Sequence, residues 1–227
     1  MAGHTAAEAG LVASLRSLSR MGSTWHGARP GWWVSAADHP PGVHVHPSGA
    51  ATTGVAHGAA GPLAFPATAY TAGYELPGQT TAIRSIASWL IDCRSSGPAT
   101  WPPYVCGDDL DRGIVTPVTG RADAWCYGTP GISAALHLAA NALGDAAISE
   151  VVRQATTDLG QRRPDEWDVQ GPTLCHGHSG IAASVRHTDP KLSDRAAAAA
   201  AAELPPLSRS AGYLAPVGSR VVPDGSG

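Results

Sequence analysis

Trp125-Cys126-Tyr127-Gly128-Thr129-Pro130-Gly131 is the stretch on which the reading of the fold turns, because two other segments repeat its plan. His57-Gly58-Ala59-Ala60-Gly61 and His176-Gly177-His178-Ser179-Gly180 share the order aromatic or His, Gly, two residues, Gly, and then an apolar helical run. Those runs cover residues 62–72, 132–143 and 181–187. Paired glycines at a loop-to-helix junction allow a tight turn and close backbone approach. The helix start that follows presents N–H groups with a positive partial charge, a natural place for an anion or a thiolate.

Working outward, each of the first two runs is followed by a Gly-containing turn and a second amphipathic helix, over 79–93 and 146–159, with 194–203 as the third. In 79–93, Ile83, Ile86, Ala87, Leu90 and Ile91 recur at helical spacing, as Leu11, Leu15 and Leu18 do in 5–19. No alternating run with a hairpin signal supports a sheet, so the class is all-α. Inner helices opening at the Gly motifs and outer helices returning around them make an α/α toroid, with an ordinary helical bundle as the alternative. Long Gly- and Pro-rich stretches over 22–53 and 95–124 each end shortly before a motif, which favours functional loops.

Composition removes several function classes. The net charge is -3 and the pI about 6.3, so neither a nucleic acid backbone nor an anionic membrane is indicated as partner. The start lacks the pattern of a secretory signal and no stretch is long enough to span a bilayer, so a cytoplasmic location is expected. Four scattered cysteines, Cys93, Cys106, Cys126 and Cys175, do not make a disulfide scaffold in a chain this long.

At two of the three motifs a cysteine precedes the first motif residue: Cys126 before Tyr127, and Cys175 before His176. If the inner helices converge, Cys126, Cys175 and His176 meet at one end of the barrel. A Cys2His set with one vacant position is the ligand pattern of a catalytic zinc. Buried thiols and a core histidine are the structural alternative, and the repeated context favours the metal.

These residues carry a resemblance. Trp-Cys-Tyr-Gly-x-Pro-Gly at 125–131, Leu-Cys-His-Gly-x-x-Gly at 174–180 and Gly-x-Ala-His-Gly-x-x-Gly-Pro-Leu at 54–63 resemble three motifs of the lanthionine synthetase C family, in the same order. Pro-Gly-Trp-Trp-Val at 30–34 resembles a segment ahead of the His-Gly motif in free-standing members. The resemblance covers roughly residues 25–190. It implies an α/α toroid with one Zn2+ on Cys126, Cys175 and His176. It also implies addition of peptide cysteine thiols to dehydroalanine or dehydrobutyrine, giving lanthionine or methyllanthionine rings. His57 would be the acid that protonates the resulting enolate, and Tyr127 would orient the thiolate or meet the enolate oxygen, or simply pack beside the helix start. A dehydrated precursor peptide is the implied substrate and a lanthipeptide dehydratase a possible partner.

The chain departs from the family in three places. The arginine found four residues before the first zinc cysteine is replaced by Ala122, leaving Arg121 as the nearest candidate for charge stabilisation. Hairpins expected ahead of Pro30, and a final hairpin after the Cys-His motif, have no counterpart. An incomplete ring leaves apolar helix faces wet, at roughly 25 cal/mol per Å2. A truncated, non-catalytic peptide-binding remnant is therefore the alternative to a working cyclase. A helical-toroid glycosidase would need cavity-facing carboxylates, and the junctions carry Cys and His instead.

This reading divides the chain into an N-terminal helix and linker over 1–24, a partial toroid over 25–190, and an Ala-rich outer helix with a disordered tail over 191–227. Other residues read as bland: His44 and His46 as a solvated loop pair, His178 at the cavity rim, Cys93 and Cys106 as plain thiols, and Asp108, Asp109 and Asp111 as a solvated turn lacking the Gly and Glu of a calcium loop.

Overall fold

A computed structural model describes residues 2–39, 46–95, 101–117 and 122–204. Eight α-helices carry it: α1 Ala2–Ser23, α2 Ala60–Thr71, α3 Gln79–Asp92, α4 Gly107–Arg112, α5 Thr129–Leu143, α6 Ala146–Gln161, α7 His178–Val185 and α8 Pro190–Glu203. Three of them, α2, α5 and α7, open at the Gly motifs and pack side by side in that order, while α3, α6 and α8 return on the outside. The α1 helix lies against α3 and α2. The expected hairpins are therefore present, as an arc of an α/α toroid, and the helix ends fall within a few residues of those read from periodicity.

Local chemistry explains the ends. Gly144, at φ 63°, stops α5 in a conformation that a side chain would resist. Asp145 then caps α6, accepting from the Ala147 and Ile148 N–H groups at 3.0 and 3.2 Å. Asp189 caps α8 by accepting from Leu192 N–H at 3.0 Å.

The repeat is visible in the backbone. The residue after the first motif glycine donates to the carbonyl seven positions earlier in all three units: Ala59 to Thr52, Thr129 to Ala122 and His178 to Gly171, at 2.9, 2.8 and 3.0 Å. The second glycine presses on the carbonyl six positions earlier, Val55, Trp125 or Leu174, where a Cβ on Gly61, Gly131 or Gly180 would sit 2.4, 1.9 or 2.2 Å from that oxygen. The second glycine is thus required by a folded-back loop, not by positive φ. Gly131→Ala is expected to destabilise the fold by about 1–3 kcal/mol, toward the upper end because a backbone carbonyl cannot rotate away. Urea denaturation measures it; an unchanged midpoint would show that the loop shifts freely.

Successive units interlock through the same positions. Val55 of the first also meets Gly131 of the second, and Trp125 of the second meets Gly180 of the third. Ala56 N–H donates to the Cys126 carbonyl at 3.3 Å, and Cys126 N–H to the Cys175 carbonyl at 3.4 Å. Equivalent residues are thereby linked from loop to loop around the arc.

The sequence reading passed over one element. Short antiparallel strands β1 Trp25–His26 and β2 Arg29–Pro30 pair, and β3 Trp33–Val34, β4 Ala50–Thr52 and β5 Tyr104–Cys106 form a second small sheet in the order β3-β4-β5. Two or three residues are too few to show alternation. Their pairing joins the two long irregular stretches and steadies the first Gly loop, where Thr53 donates through N–H to the Pro103 carbonyl (3.1 Å) and through Oγ1 to that of Pro102 (2.6 Å).

The main core lies between α2, α3, α5 and α6, around Leu63, Ile83, Ile86, Leu90, Ile132 and Leu136. Trp32, from the Pro-Gly-Trp-Trp segment, closes one side with its ring edge-on to Trp89 at 5.1 Å. A second core, around Leu159, Trp167, Ile181, Val185 and Leu192, holds α7 and α8 to α6. No described helix is long and apolar enough to cross a membrane. The tail expected to be disordered, residues 205–227, lies outside the described residues.

Candidate metal centre

The three Gly loops bring their leading residues together at the N-terminal ends of the inner helices. The ligand atoms of Cys126, Cys175 and His176 all lie within 4.8 Å of one another. Cys126 is buried, His176 half-buried and Cys175 exposed, so the cluster has a dry floor and a side open to solvent. Two thiols and an imidazole are the soft, nitrogen-bearing set that suits zinc. Zinc–sulfur and zinc–nitrogen bonds of about 2.3 and 2.0–2.1 Å put tetrahedral ligands somewhat under 4 Å apart, so a separation of this size closes with small side-chain movements. The donor set fits the ion.

His57 stands on the neighbouring loop. It is exposed, and its ring centroid lies 6.1 Å from that of Tyr127, tilted by 31°. The Thr52 hydroxyl donates to the His57 carbonyl, fixing the turn that presents the side chain. The structure thus gathers five of the six residues singled out from the sequence: His57, Cys126, Tyr127, Cys175 and His176. The sixth, Arg121, lies outside the described residues.

A clamp behind Cys126 escaped the sequence reading. Asp123 is fully buried and takes two hydrogen bonds from Arg162, at 2.6 and 2.7 Å. It also accepts from Asp168 N–H at 2.8 Å, and the Asp168 carboxylate accepts from Ala122 N–H at 3.0 Å. The hydrogen bonds that Arg162 donates to Asp123 raise its guanidinium further above the ordinary range. No local sequence signal marks it, since Asp123 stands two residues after another charged group, Arg121.

Several smaller readings change. His178 is buried, not at a rim: Nδ1 lies 2.7 Å from Glu203 Oε1, and the ring packs on Trp167 at 5.7 Å, tying α7 to α8 and the preceding loop. The acidic run is not a solvated turn but the short helix α4. There Asp109 is buried and accepts from Thr116 N–H, and Asp111 pairs with Arg29 at 2.9 Å. His46 bonds Ser48 Oγ at 2.8 Å; His44 lies outside the described residues. None of the four cysteines forms a disulfide, and burial pushes the Cys93 thiol well above its ordinary range. In metal-free protein, iodoacetamide should therefore label Cys175 first and leave Cys93 untouched at neutral pH, and added zinc should protect Cys175. Peptide mapping reads this directly; equal labelling with and without zinc would count against the site.

A toroidal arc of helical hairpins whose Gly loops converge on a Cys2His cluster defines a class: α/α-barrel proteins with a candidate metal site at the N-terminal ends of the inner helices. The chain belongs to the lanthionine synthetase C-like protein family, whose model matches residues 41–204. It is 26% identical over 140 residues to the nisin biosynthesis protein NisC of Lactococcus lactis subsp. lactis, across 60% of this chain and 33% of that protein. A solved structure of nisin cyclase superposes with a TM-score of 0.68 at 21% identity, over 81% of this chain and 47% of that one. That likeness carries the fold. The chain spans a third to a half of the length of these relatives.

Proposed function

We propose that the protein is a zinc-dependent lanthipeptide cyclase, joining cysteine thiols of a dehydrated precursor peptide to dehydroalanine or dehydrobutyrine. The observation that carries the reading is the meeting of Cys126, Cys175 and His176 beside His57, in a chain whose family is that of the lanthionine synthetases. Bound by those three side chains, zinc would supply the lowering of a substrate thiol's pKa. The chain's own residues do the rest. The exposed side of the cluster admits a peptide, and the buried floor at Cys126 keeps water from one face. In the addition a carbon–sulfur bond forms at the alkene's outer carbon and the thiol proton is lost. The inner carbon must then take up a proton, and His57, exposed beside the cluster, delivers it. Tyr127, whose ring lies 6.1 Å from that of His57, would hydrogen-bond the carbonyl oxygen on which charge develops. No net oxidation occurs.

Ring formation leaves the peptide's mass unchanged and consumes a thiol, so loss of iodoacetamide labelling on a dehydrated peptide is the assay. The full chain, loaded with zinc, is expected to close rings. His57→Gln should slow closure by roughly 10^2- to 10^4-fold, the usual share of a general acid, while zinc content stays as in the wild type. A His57→Gln chain as fast as the wild type would remove His57 from the chemistry. A second reading is a non-catalytic peptide-binding member of the same family. Full zinc occupancy with peptide bound and no ring closed would select it.

A further inference from the structure

The fifth position before the first motif glycine holds a buried anchor in two of the three units, and the two anchors hold different parts of the site. In the second unit it is Asp123, fully buried and bonded by Arg162 and by the Asp168 N–H, from the stretch that follows the outer helix α6. In the first unit it is Thr53, also fully buried. Its hydroxyl donates to the Pro102 carbonyl at 2.6 Å and its N–H to that of Pro103 at 3.1 Å, from the stretch that follows the outer helix α3. In the third unit it is Pro172, whose side chain has no hydrogen-bonding group. Asp123 thus secures the loop of Cys126, and Thr53 the loop of His57.

The first unit carries a further tie. One place before the anchor, the Thr52 hydroxyl donates to the His57 carbonyl, whereas the matching residues Ala122 and Gly171 have no hydroxyl. The Thr52 and Thr53 carbonyls also accept from the Ala59 and Ala60 N–H groups, at 2.9 and 3.1 Å. The loop between is pressed from both sides. On one, Val55 and Ala56 donate through N–H to the Cys126 carbonyl at 2.9 and 3.3 Å, and a Cβ on Gly54 would lie 2.3 Å from that oxygen. On the other, a Cβ on Gly58 would lie 2.6 Å from the Thr52 carbonyl oxygen. His57 can therefore shift only if Thr52 and Thr53 shift with it.

We propose that Thr53 is the positioning residue of the acid: by fastening the loop to Pro102 and Pro103 it fixes the His57 imidazole against one face of the enolate. The inference rests on the cyclase reading above and adds to it the group that makes proton delivery directional. The C–H bond that forms takes its proton from the imidazole. The enolate carbon is planar, so a donor held on one side gives one configuration there, while water arriving from either side gives both. The hydroxyl of Thr53 is 2.6 Å from its acceptor and a methyl group needs about 3.3 Å, so Thr53→Val opens the contact by about 0.7 Å. A misplacement of about 1 Å in a catalytic group can cost roughly 10^2-fold in rate.

The test compares Thr53→Val with the zinc-loaded wild type on a dehydrated peptide. It reads the rate, the zinc affinity and, after hydrolysis, the configuration of the thioether amino acid by chiral chromatography. Closure is expected to slow by up to roughly 10^2-fold in kcat, with KM and zinc affinity unchanged, and the product to pass from one configuration to a mixture. Thr53→Ser keeps the hydroxyl and should restore both the rate and the single configuration. Val152→Ala, in the buried core away from the loop, should lower stability and leave the configuration single. Amide hydrogen exchange over residues 54–60 needs no turnover, and should quicken in Thr53→Val but not in Thr53→Ser. A wild type that closes no ring would overturn the cyclase reading, and the exchange measurement would still decide whether Thr53 holds the His57 loop. Unchanged exchange in Thr53→Val, or a product of one configuration from it, would overturn the proposal. Should Thr53→Val fail to fold, Thr52→Val removes the tie to the His57 carbonyl from a half-buried position and is held to the same outcomes.

Discussion

Cys126→Ala is expected to remove stoichiometric zinc and, with it, all ring closure above background. The prediction follows from where this sulfur sits. Of the three donors only Cys126 is buried, and its backbone is held on both sides, accepting from Val55 N–H at 2.9 Å and donating to the Cys175 carbonyl. It is the fixed point toward which the half-buried His176 and exposed Cys175 close. Partners that merely orient a metal ligand are worth roughly 10- to 100-fold in affinity, so loss of a ligand itself should cost more than that. Metal analysis after dialysis against a weak chelator, alongside the thiol-labelling assay, measures both effects. Alanine is small and the site partly open, so the melting transition of the metal-free variant should stay close to that of metal-free wild type. A Cys126→Ala chain that retains zinc after the chelator step would show that the three donors do not act together.

The largest effect on stability is expected from Asp123→Ala. The carboxylate is wholly buried and bonded twice by Arg162, whose Nε is itself buried without a partner among the described residues. Asp123 is wholly buried and the Arg162 side chain 29% exposed, so removing the carboxylate strands a partly buried guanidinium, at up to about 3–5 kcal/mol. For a chain of this length that corresponds to a fall in Tm of up to roughly 6–20 °C. The Asp168 N–H loses its acceptor too, so the loop that runs from Ala122 to Cys126 loosens. Zinc affinity should fall along with stability, which a substitution elsewhere in the core, such as Leu90→Ala, would not cause. Calorimetry and zinc titration on the two variants separate these outcomes; equal zinc affinity in both would mean that the clamp serves the fold alone.

Much of the site was legible because the repeat is written in residues that tolerate few replacements. A glycine pressed against a carbonyl at Gly131 or Gly180, and a cysteine two places before the first motif glycine, recur at fixed offsets, and offsets survive in a linear string. The clamp was hidden for the opposite reason. Asp123 and Arg162 are 39 positions apart and belong to no shared motif. Nothing in either residue's neighbourhood announces that the two will meet in a dry place. His178 was misread for the same cause, since the carboxylate beside it comes from Glu203 at the far end of α8.

By itself the amino-acid order determined where the inner and outer helices run to within a few residues, though not the short helix α4, and that three like units carry two thiols and an imidazole at matching positions. Those are local matters, set by side-chain periodicity, capping groups and the steric freedom of glycine within a few residues. Only the tertiary structure decided that the units interlock loop to loop and that the three donors come within 4.8 Å of one another. Distances between remote segments depend on how whole helices pack, and packing is a sum over many weak contacts that no short stretch of chain contains.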